Sequence, residues 1–239
     1  MPLFSYDLHI HSALSPCGDK DNTPCNIAGM AAVQELDIIA LCDHNTARNC
    51  PACQKACEEY GVLFIPGMEL TTAEEVHVVC LFPALDNALA FDKEVYKHLI
   101  KVKNNPEIFG EQEIYDENDN VIDVEPNLLI NATDIDFARA FLMANEFGGV
   151  AMPAHVDKGA NSLFSNLGFI PPECDFKTVE INNLERFNAL KEKFPYLNNC
   201  LVLKDSDAHY LGNVSAPINK IELDVLRHNA VIEKIKNGK

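Results

Sequence analysis

The chain has 239 residues, of which 47% are hydrophobic and 23% are charged, as in globular proteins with one large core. Its 19 basic and 36 acidic residues give a net charge of −17, which repels polyanions and disfavours a long nucleic-acid footprint. No apolar run reaches the ~18 residues that a membrane span needs, and the N-terminus lacks the features of a signal peptide, so we expect a cytoplasmic location.

The first half of the chain alternates between predicted strands and helices. FSYDLHIH predicts a strand, because apolar and polar positions alternate, and a polar loop follows from Ser12 to Pro24. Helices are predicted from Asn26 to Glu35 and over residues 47–60, where Gly61 ends the second helix. DIIALCDH predicts a buried strand, and VLFIPGMEL and EVHVVCLF predict two further strands. This order indicates an α/β fold.

The second half is less regular. We predict a helix over residues 84–103, a surface hairpin over residues 111–125, and a helix that starts at Thr133 or Asp134 and ends at Phe147. The predicted elements that follow are strand VAMPAH, a loop and helix over 157–168, strand TVEI, a helix near 184–193, strand CLVLKDSDAH, and a final strand and helix. We expect a single domain over residues 1–239, with an insertion at about 84–147.

The nine cysteines suggest reduced, buried thiols rather than disulfides. Their number is odd, and Cys42 and Cys80 lie within apolar runs. The spacing of Cys50, Cys53 and Cys57 resembles a metal or iron–sulfur motif. These three residues, however, share one face of a predicted helix, which favours buried cysteines over a structural metal.

The segment Asp7-Leu8-His9-Ile10-His11 carries polar side chains at every second position of a predicted strand. Residues two apart point to the same side of a strand, so Asp7, His9 and His11 face one way. Such groups are costly to bury unless they are paired or bind a metal, and two imidazoles on one face can hold one ion. An isolated His-x-His pair is weak evidence, because a polar strand edge would look the same.

Further ionisable residues follow the other predicted strands. They are Asp43-His44-Asn45, Glu69, His77, His155 and Asp207-Ala208-His209. Six of the eight histidines lie at or in predicted strands. The carboxyl ends of parallel barrel strands meet at one edge, where catalytic groups collect. We therefore expect these side chains to lie close together.

The ordered motifs Asp-x-His-x-His, Asp-His-Asn, Met-Glu-Leu, Val-His, Ala-His and Asp-Ala-His resemble the polymerase-and-histidinol-phosphatase (PHP) superfamily of metal-dependent phosphoesterases. The resemblance extends from Asp7 to His209. It implies a distorted, TIM-like barrel of about seven β/α units, with the insertion as a helical and hairpin elaboration. It also implies two or three divalent metal ions, commonly zinc, manganese or iron.

The resemblance also implies a set of ligands for each ion. The first ion would be held by His9, His11, Glu69 and Asp207. Glu69 would bridge to a second ion, which His77 and His155 complete.

A third ion would be held by His44 and His209. Some family members place another histidine in the loop after His-x-His, but here that loop reads SALSPCGDKD. Asp19 or Cys17 is the substitute, and we favour Asp19 because a hard carboxylate oxygen suits a labile ion. Asp7 and Asp43 are expected to orient ligand imidazoles.

The expected reaction is hydrolysis of a phosphate ester by a metal-bridging hydroxide, since bound ions lower the pKa of water to about 7. Lys158, soon after His155, is the candidate cation for the phosphoryl oxygens, with Arg186 in reserve. The general acid is His209, His44 or an aspartate, and the sequence does not decide between them. We also count Asp43 among the catalytic candidates.

Three functions compete on this pattern. The first is a phosphoesterase acting on a small phosphorylated metabolite, a nucleotide or a short oligonucleotide. The second is an amidohydrolase-like deaminase or amidase, which the Asp-His-Asn step and Glu69 disfavour. The third is a metal-binding module without turnover, which the complete ligand set disfavours. Turnover of phosphate esters would separate the first function from the third.

Overall fold

The computed structural model describes residues 1–238. Its strands are β1 (Leu3–Ile10), β2 (Ile38–Leu41), β3 (Leu63–Thr71), β4 (His77–Leu81), β5 (Glu113–Tyr115), β6 (Val121–Val124), β7 (Val150–Pro153), β8 (Thr178–Glu180), β9 (Leu201–Leu203) and β10 (Lys220–Glu222). Its α-helices are α1 (Pro24–Val33), α2 (Cys50–Tyr60), α3 (Leu85–His98), α4 (Pro106–Phe109), α5 (Phe137–Glu146), α6 (Leu184–Lys193) and α7 (His228–Asn237). None of these helices has both the length and the apolar character that a membrane crossing requires.

A six-stranded sheet in the order β10-β1-β2-β3-β4-β7 forms the centre of the fold. Strands β1, β2 and β3 are parallel, whereas β4 runs antiparallel to both of its neighbours, β3 and β7. The carboxyl ends of β1, β2, β3 and β7 therefore share one edge with the first residue of β4. We call this edge the carboxyl edge.

The sheet curls, so that the chain after β9 reaches β1. Strands β8 and β9 form a separate parallel pair, and beyond them Ala208 bridges Ile10 and accepts the His11 N–H at 2.9 Å. The predicted α/β fold is confirmed. The predicted count of seven β/α units is not confirmed, because β3–β4 and β4–β7 are antiparallel and β8–β9 stand outside the main ladder.

Apolar residues cover both faces of the sheet. In β2, Ile39 and Leu41 pack in a cluster shared with α1, α2, α3 and α5, whereas Ile38 and Ala40 pack in a second cluster shared with α7. Burial on both faces explains why the strands appear as continuous apolar runs in the sequence. The three cysteines of α2 are buried, as predicted, and six of the nine cysteine side chains in the described residues are buried.

The insertion predicted at about 84–147 contains the hairpin β5–β6, as expected. Helix α3 ends at His98, earlier than predicted, because Leu99 is extended and bridges Thr133. Helix α5 is capped by the Asp136 side chain and packs on β7 and β4. Part of the predicted insertion thus supports the main sheet, and its extent stays a prediction.

Gly67 in β3 occupies a tightly packed position. A Cβ there would lie 2.8 Å from both Cys42 Sγ and Leu81 Cδ2 and 3.0 Å from the Leu41 carbonyl oxygen. We expect Gly67→Ala to lower the free energy of unfolding by about 1–3 kcal/mol, because an overpacked core must shift. Gly212→Ala, with no atom within 4 Å of its added Cβ, is the control and should change stability by less than about 0.5 kcal/mol. Urea unfolding measures both, and equal stabilities would contradict the prediction.

Candidate metal centre

Imidazoles and carboxylates from six segments meet at the carboxyl edge. They are His9 and His11 in and after β1, His44 after β2, Glu69 in β3, His77 at the start of β4, His155 after β7, and Asp207 and His209 after β9. The side chains of His209 and His77 are 25% and 11% exposed, that of Asp207 10%, and the others at most 3%. This burial requires internal compensation of charge.

Glu69 lies at the centre of this cluster. Its Oε1 lies 2.8 Å from His77 Nδ1, 3.1 Å from His155 Nε2 and 3.4 Å from His9 Nε2. His77 contributes because β4 is antiparallel, which brings its first residue to the edge where β3 ends. One carboxylate oxygen is thus surrounded by imidazole nitrogens from three strands.

The second carboxylate oxygen of Glu69 faces two more histidines. Its Oε2 lies 3.0 Å from His44 Nδ1 and 3.4 Å from His11 Nε2. Burial alone would raise the pKa of Glu69, but His77, His9 and His44 lower it well below its usual value. A carboxylate that faces different histidines with each oxygen has the geometry of a bridge between two cations.

The tautomers of His9 and His11 follow from their outer partners. His9 Nδ1 donates to Glu180 Oε2 at 2.7 Å, and His11 Nδ1 donates to Ser15 Oγ at 2.9 Å, while Ser15 donates to Asp43. The two Nε2 atoms therefore present lone pairs to each other at only 3.1 Å. Two lone pairs at this distance repel unless a positive charge lies beside them, so the pair fits a metal ion.

Asp207 completes this group. Its Oδ1 lies 3.3 Å from His11 Nε2 and 3.6 Å from His9 Nε2, and its Oδ2 pairs with Lys158 Nζ. Burial opposes the charge of Asp207, but His9 and His11 hold its pKa well below the usual range. Donor atoms of His9, His11, Glu69 and Asp207 lie within 4.8 Å of one another, close enough to hold one ion.

The same carboxylates act on His9 and His11. Burial lowers the pKa of His9, but Glu180, Glu69 and Asp207 raise it well above its ordinary value. The pKa of His11 is raised to about 9, because Asp207 and Glu69 outweigh the effect of burial. The carboxylates thus create a strong demand for positive charge at this position.

Two further sets of possible metal ligands share residues with the set His9, His11, Glu69 and Asp207. One joins His44, Glu69 and His77, and the other joins His11, His44 and His209. The predicted second set contained His155 instead of His44, and His155 Nε2 does reach Glu69. The geometry thus connects His44 to both groups, whereas the resemblance implied that it serves only the third ion.

The imidazoles of His44 and His209 are suited to donate lone pairs. Burial lowers the pKa of His44 to about 3, and burial together with His11 lowers that of His209 to about 4. His209 Nδ1 donates to the Asp207 carbonyl oxygen at 2.7 Å, which leaves its Nε2 free. Neutral imidazoles are the form that binds metals.

The loop after β1 places Cys17 in the wall of the cavity, whereas Asp19 is not in that wall and its N–H donates to the His209 carbonyl oxygen at 2.8 Å. The Asp19 Oδ1 accepts the Asp21 N–H at 2.9 Å, and neither Asp19 nor Cys17 belongs to the three groups. Cys17 lines the same cavity as His44 and Glu69, and burial raises the pKa of its thiol. Spacing along an irregular loop does not determine which side chain turns inward.

Asp43 and Asp7, which were both expected to orient ligand imidazoles, have different hydrogen-bond partners. Asp43 accepts the N–H and the hydroxyl of Ser12 and the hydroxyl of Ser15, so it reaches His11 only through Ser15. Asp7 accepts the N–H groups of Ser206 and Ser215 and thus holds the loop that carries Asp207, not an imidazole.

Glu180 and Ser15 were missed by the sequence analysis. Glu180 lies next to the end of the short predicted strand TVEI, as ligands lie near the ends of other strands, and that signal could have found it. Ser15 lies in a polar loop and carries no comparable signal.

Three residues at the centre have a left-handed backbone. They are Asn45 (φ 52°), His155 (φ 28°) and Asp207 (φ 51°). Residues other than glycine are strained in this region, and such strain concentrates at functional sites.

A cavity of about 540 Å³ opens onto the cluster. Its wall combines His44, Glu69, His77, His155, Asp207 and His209 with Cys17, Ile130, Lys158, Gly159, Ala160 and Asn161. Lys158 is the only lysine or arginine in this wall, and Arg186 is exposed on α6. A cavity of this size accommodates a small ligand.

A curled α/β sheet that gathers imidazoles and carboxylates at one edge defines the class of the protein, an α/β fold with a centre suited to divalent metals. The family model of the PHP domain matches residues 7–134, more than half of the chain, and the protein belongs to this family. Members of the family are generally metal-dependent hydrolases, and they include endonucleases and phosphoesterases.

Several known proteins are similar to this chain. A 5′-3′ exoribonuclease of Haemophilus influenzae is 35% identical over 79 residues, which cover 32% of this chain and 28% of that protein. The crystal structure of a lesion-specific endonuclease from Pyrococcus furiosus has a TM-score of 0.72 at 20% identity, over 100% of this chain and 57% of that one. A metal-dependent phosphoesterase structure from Bifidobacterium adolescentis has a TM-score of 0.62 at 17% identity, with coverage of 100% and 98%.

Replacement of the central carboxylate tests whether it holds metal. We expect Glu69→Gln to lose at least one equivalent of bound zinc or manganese, because a neutral amide is a poor bridging ligand. Elemental analysis of dialysed protein measures the loss. Glu74→Gln is the control, since Glu74 instead accepts the Phe137 N–H. Full metal content in Glu69→Gln would contradict the bridging role.

Proposed function

We propose that the protein hydrolyses the phosphate ester of a small metabolite, a nucleotide or a short oligonucleotide with the help of two or three divalent ions. The observation that carries this proposal is the Glu69 carboxylate, which faces five imidazole nitrogens within 3.4 Å. Membership of the PHP family supports the same reaction class.

The proposed ligand sets are those of the family resemblance, and the convergence of ring nitrogens and carboxylate oxygens around Glu69 supports them. The first ion would be held by His9, His11, Glu69 and Asp207, the second by Glu69, His77 and His155, and the third by His44 and His209 with a donor from the loop after β1. Cys17 is the better loop donor, because it lines the cavity and Asp19 does not. When bound, these ions, whether zinc, manganese or iron, supply activation of water and positive charge beside the phosphoryl group.

Lys158 binds the phosphoryl oxygens that the ions leave free. Its side chain is 34% exposed and lines the cavity, and its Nζ already pairs with Asp207. Burial would lower the pKa of Lys158, but Asp207 raises it above its usual value, so the ammonium group stays charged. The flexible side chain can turn from Asp207 towards an anionic substrate.

Among the candidate general acids, His209 is the best placed to exchange protons with solvent. Its side chain is 25% exposed, against 3% for His44. Asp43 supports His11 through Ser15 and has both oxygens occupied by hydrogen bonds. We therefore assign Asp43 a supporting role in catalysis, and His209 stays the candidate for proton delivery when its Nε2 does not hold the third ion.

Charge limits the size of the substrate. The chain carries a net charge of −17, and Lys158 is the only basic residue in the wall of the cavity outside the histidines. A long nucleic acid gains affinity from many basic contacts along its backbone. One phosphoryl group at the ions, with a small organic group in the cavity of about 540 Å³, suits this arrangement better.

A panel of substrates tests the reaction. The protein, loaded with manganese or zinc, would be incubated with phosphomonoesters, nucleoside bisphosphates and short oligonucleotides, and phosphate or nucleotide release would be measured. We expect release that Asp207→Ala abolishes, because this variant removes a ligand of the first ion. If the folded, metal-loaded protein releases nothing, the proposal fails, and amide and deamination substrates become the next panel.

Removal of the cavity lysine tests its role. We expect Lys158→Ala to raise KM for a phosphate ester about tenfold or more, because one charge-assisted contact is lost, while metal content stays at the wild-type level. Steady-state kinetics and elemental analysis measure the two effects. Lys177→Ala, which removes an exposed lysine also paired with an aspartate, is the control. Unchanged kinetics in Lys158→Ala would mean that Lys158 is a solvated loop charge that does not bind the substrate.

A further inference from the structure

Glu180 lies behind the cluster and contacts one of its imidazoles directly. Its Oε2 accepts a hydrogen bond from His9 Nδ1 at 2.7 Å, and the two side chains are 2% and 0% exposed. Glu180 is the last residue of β8 and does not face the cavity. Its carboxylate is thus one imidazole ring away from the proposed ion.

This contact selects the state of His9. With Nδ1–H bound to Glu180, the lone pair lies on Nε2, the atom that faces Glu69, His11 and Asp207. The opposite tautomer would direct an N–H group at the position of the ion and could not bind it. A carboxylate on the outer nitrogen also makes an imidazole a more basic ligand.

The backbone of Glu180 connects two further ligand segments. Its carbonyl oxygen accepts the Val156 N–H at 2.9 Å, directly after His155. Glu180 also pairs with Leu203 in the β8–β9 ladder, and β9 leads to Asp207.

A second set of bonds runs in the opposite direction. Both oxygens of Asp157 accept N–H groups, from Asn182 and Asn183, each at 2.7 Å. These bonds fix the end of β8 to the segment that carries His155. The Glu180 side chain is therefore held in a fixed position behind His9.

We propose that Glu180 is a positioning residue that fixes His9 in its Nδ1–H tautomer and thereby sets the affinity of the first ion site. The inference rests on the metal centre of the proposed function, but it does not depend on hydrolysis. It requires that the effect of Glu180 on metal affinity pass through His9.

The test is a double-mutant cycle read by metal affinity. Dissociation constants for Zn²⁺ and Mn²⁺ would be measured by chelator competition for the wild type, Glu180→Gln, His9→Ala and the double variant. We expect Glu180→Gln to weaken binding about 10–100-fold in the wild-type background and less than about twofold in the His9→Ala background. The control is Glu125→Gln, another buried glutamate, which pairs with Arg48 away from the cluster and should leave the affinity unchanged.

Nitrogen-15 spectra of the imidazoles give an independent readout. We expect His9 in the Zn²⁺-loaded wild type to carry its proton on Nδ1, and the ¹⁵N shift of this Nδ1–H to change in Glu180→Gln, because a neutral amide is a weaker acceptor than a carboxylate. Circular dichroism checks that each variant is folded. If Glu180→Gln does not fold, Glu180→Asp, which keeps the charge but shortens the side chain, replaces it under the same criteria.

Two results would overturn the inference. One is a folded Glu180 variant that binds metal as tightly as the wild type. The other is an equal loss of affinity in both backgrounds, because Glu180 would then act on the fold and not through His9. A wild-type chain that binds neither ion would instead overturn the metal centre, so the two failures are distinguishable.

Discussion

A single buried carboxylate, Glu69, imposes the main constraint on this protein. A charge that is taken out of water must be compensated nearby, and here five imidazole nitrogens, carried by β1, β4 and β7 or the residues after them and by the loop after β2, provide the contacts. Imidazoles compensate fully only when they are protonated or share a cation with the carboxylate. The sheet order, the strand directions and the supporting hydrogen bonds all act to hold this one geometry.

The strand directions explain how so many histidines reach one point. The parallel strands β1 and β2 place His9, His11 and His44 at the carboxyl edge. An antiparallel strand runs away from this edge, so only a residue at its start can contribute a ligand there. Strand β4 meets this condition, because its candidate ligand, His77, is its first residue. The apolar clusters on both faces of the sheet then keep the strand ends in register.

Much of this arrangement could be predicted from the sequence. Apolar runs indicated the strands, and the ionisable residues at their ends indicated that one cluster would form, as the distances around Glu69 bear out. The contacts that support this cluster from behind could not be predicted, because they depend on the three-dimensional path of loops and on strand order. Glu180 behind His9, Ser15 beneath His11 and the inward turn of Cys17 are of this kind. The antiparallel direction of β4 was hidden for the same reason.

The left-handed backbone at Asn45, His155 and Asp207 has a consequence for the evolution of this chain. Such a residue costs up to about 1–3 kcal/mol, less for asparagine and aspartate than for histidine, whereas a typical domain is stable by only about 5–15 kcal/mol in total. The metal centre thus consumes a sizeable share of the stability margin, and fewer destabilising changes can accumulate elsewhere before the chain unfolds. Bound ions would restore part of that margin, so tolerance of sequence drift in this protein is tied to the supply of metal.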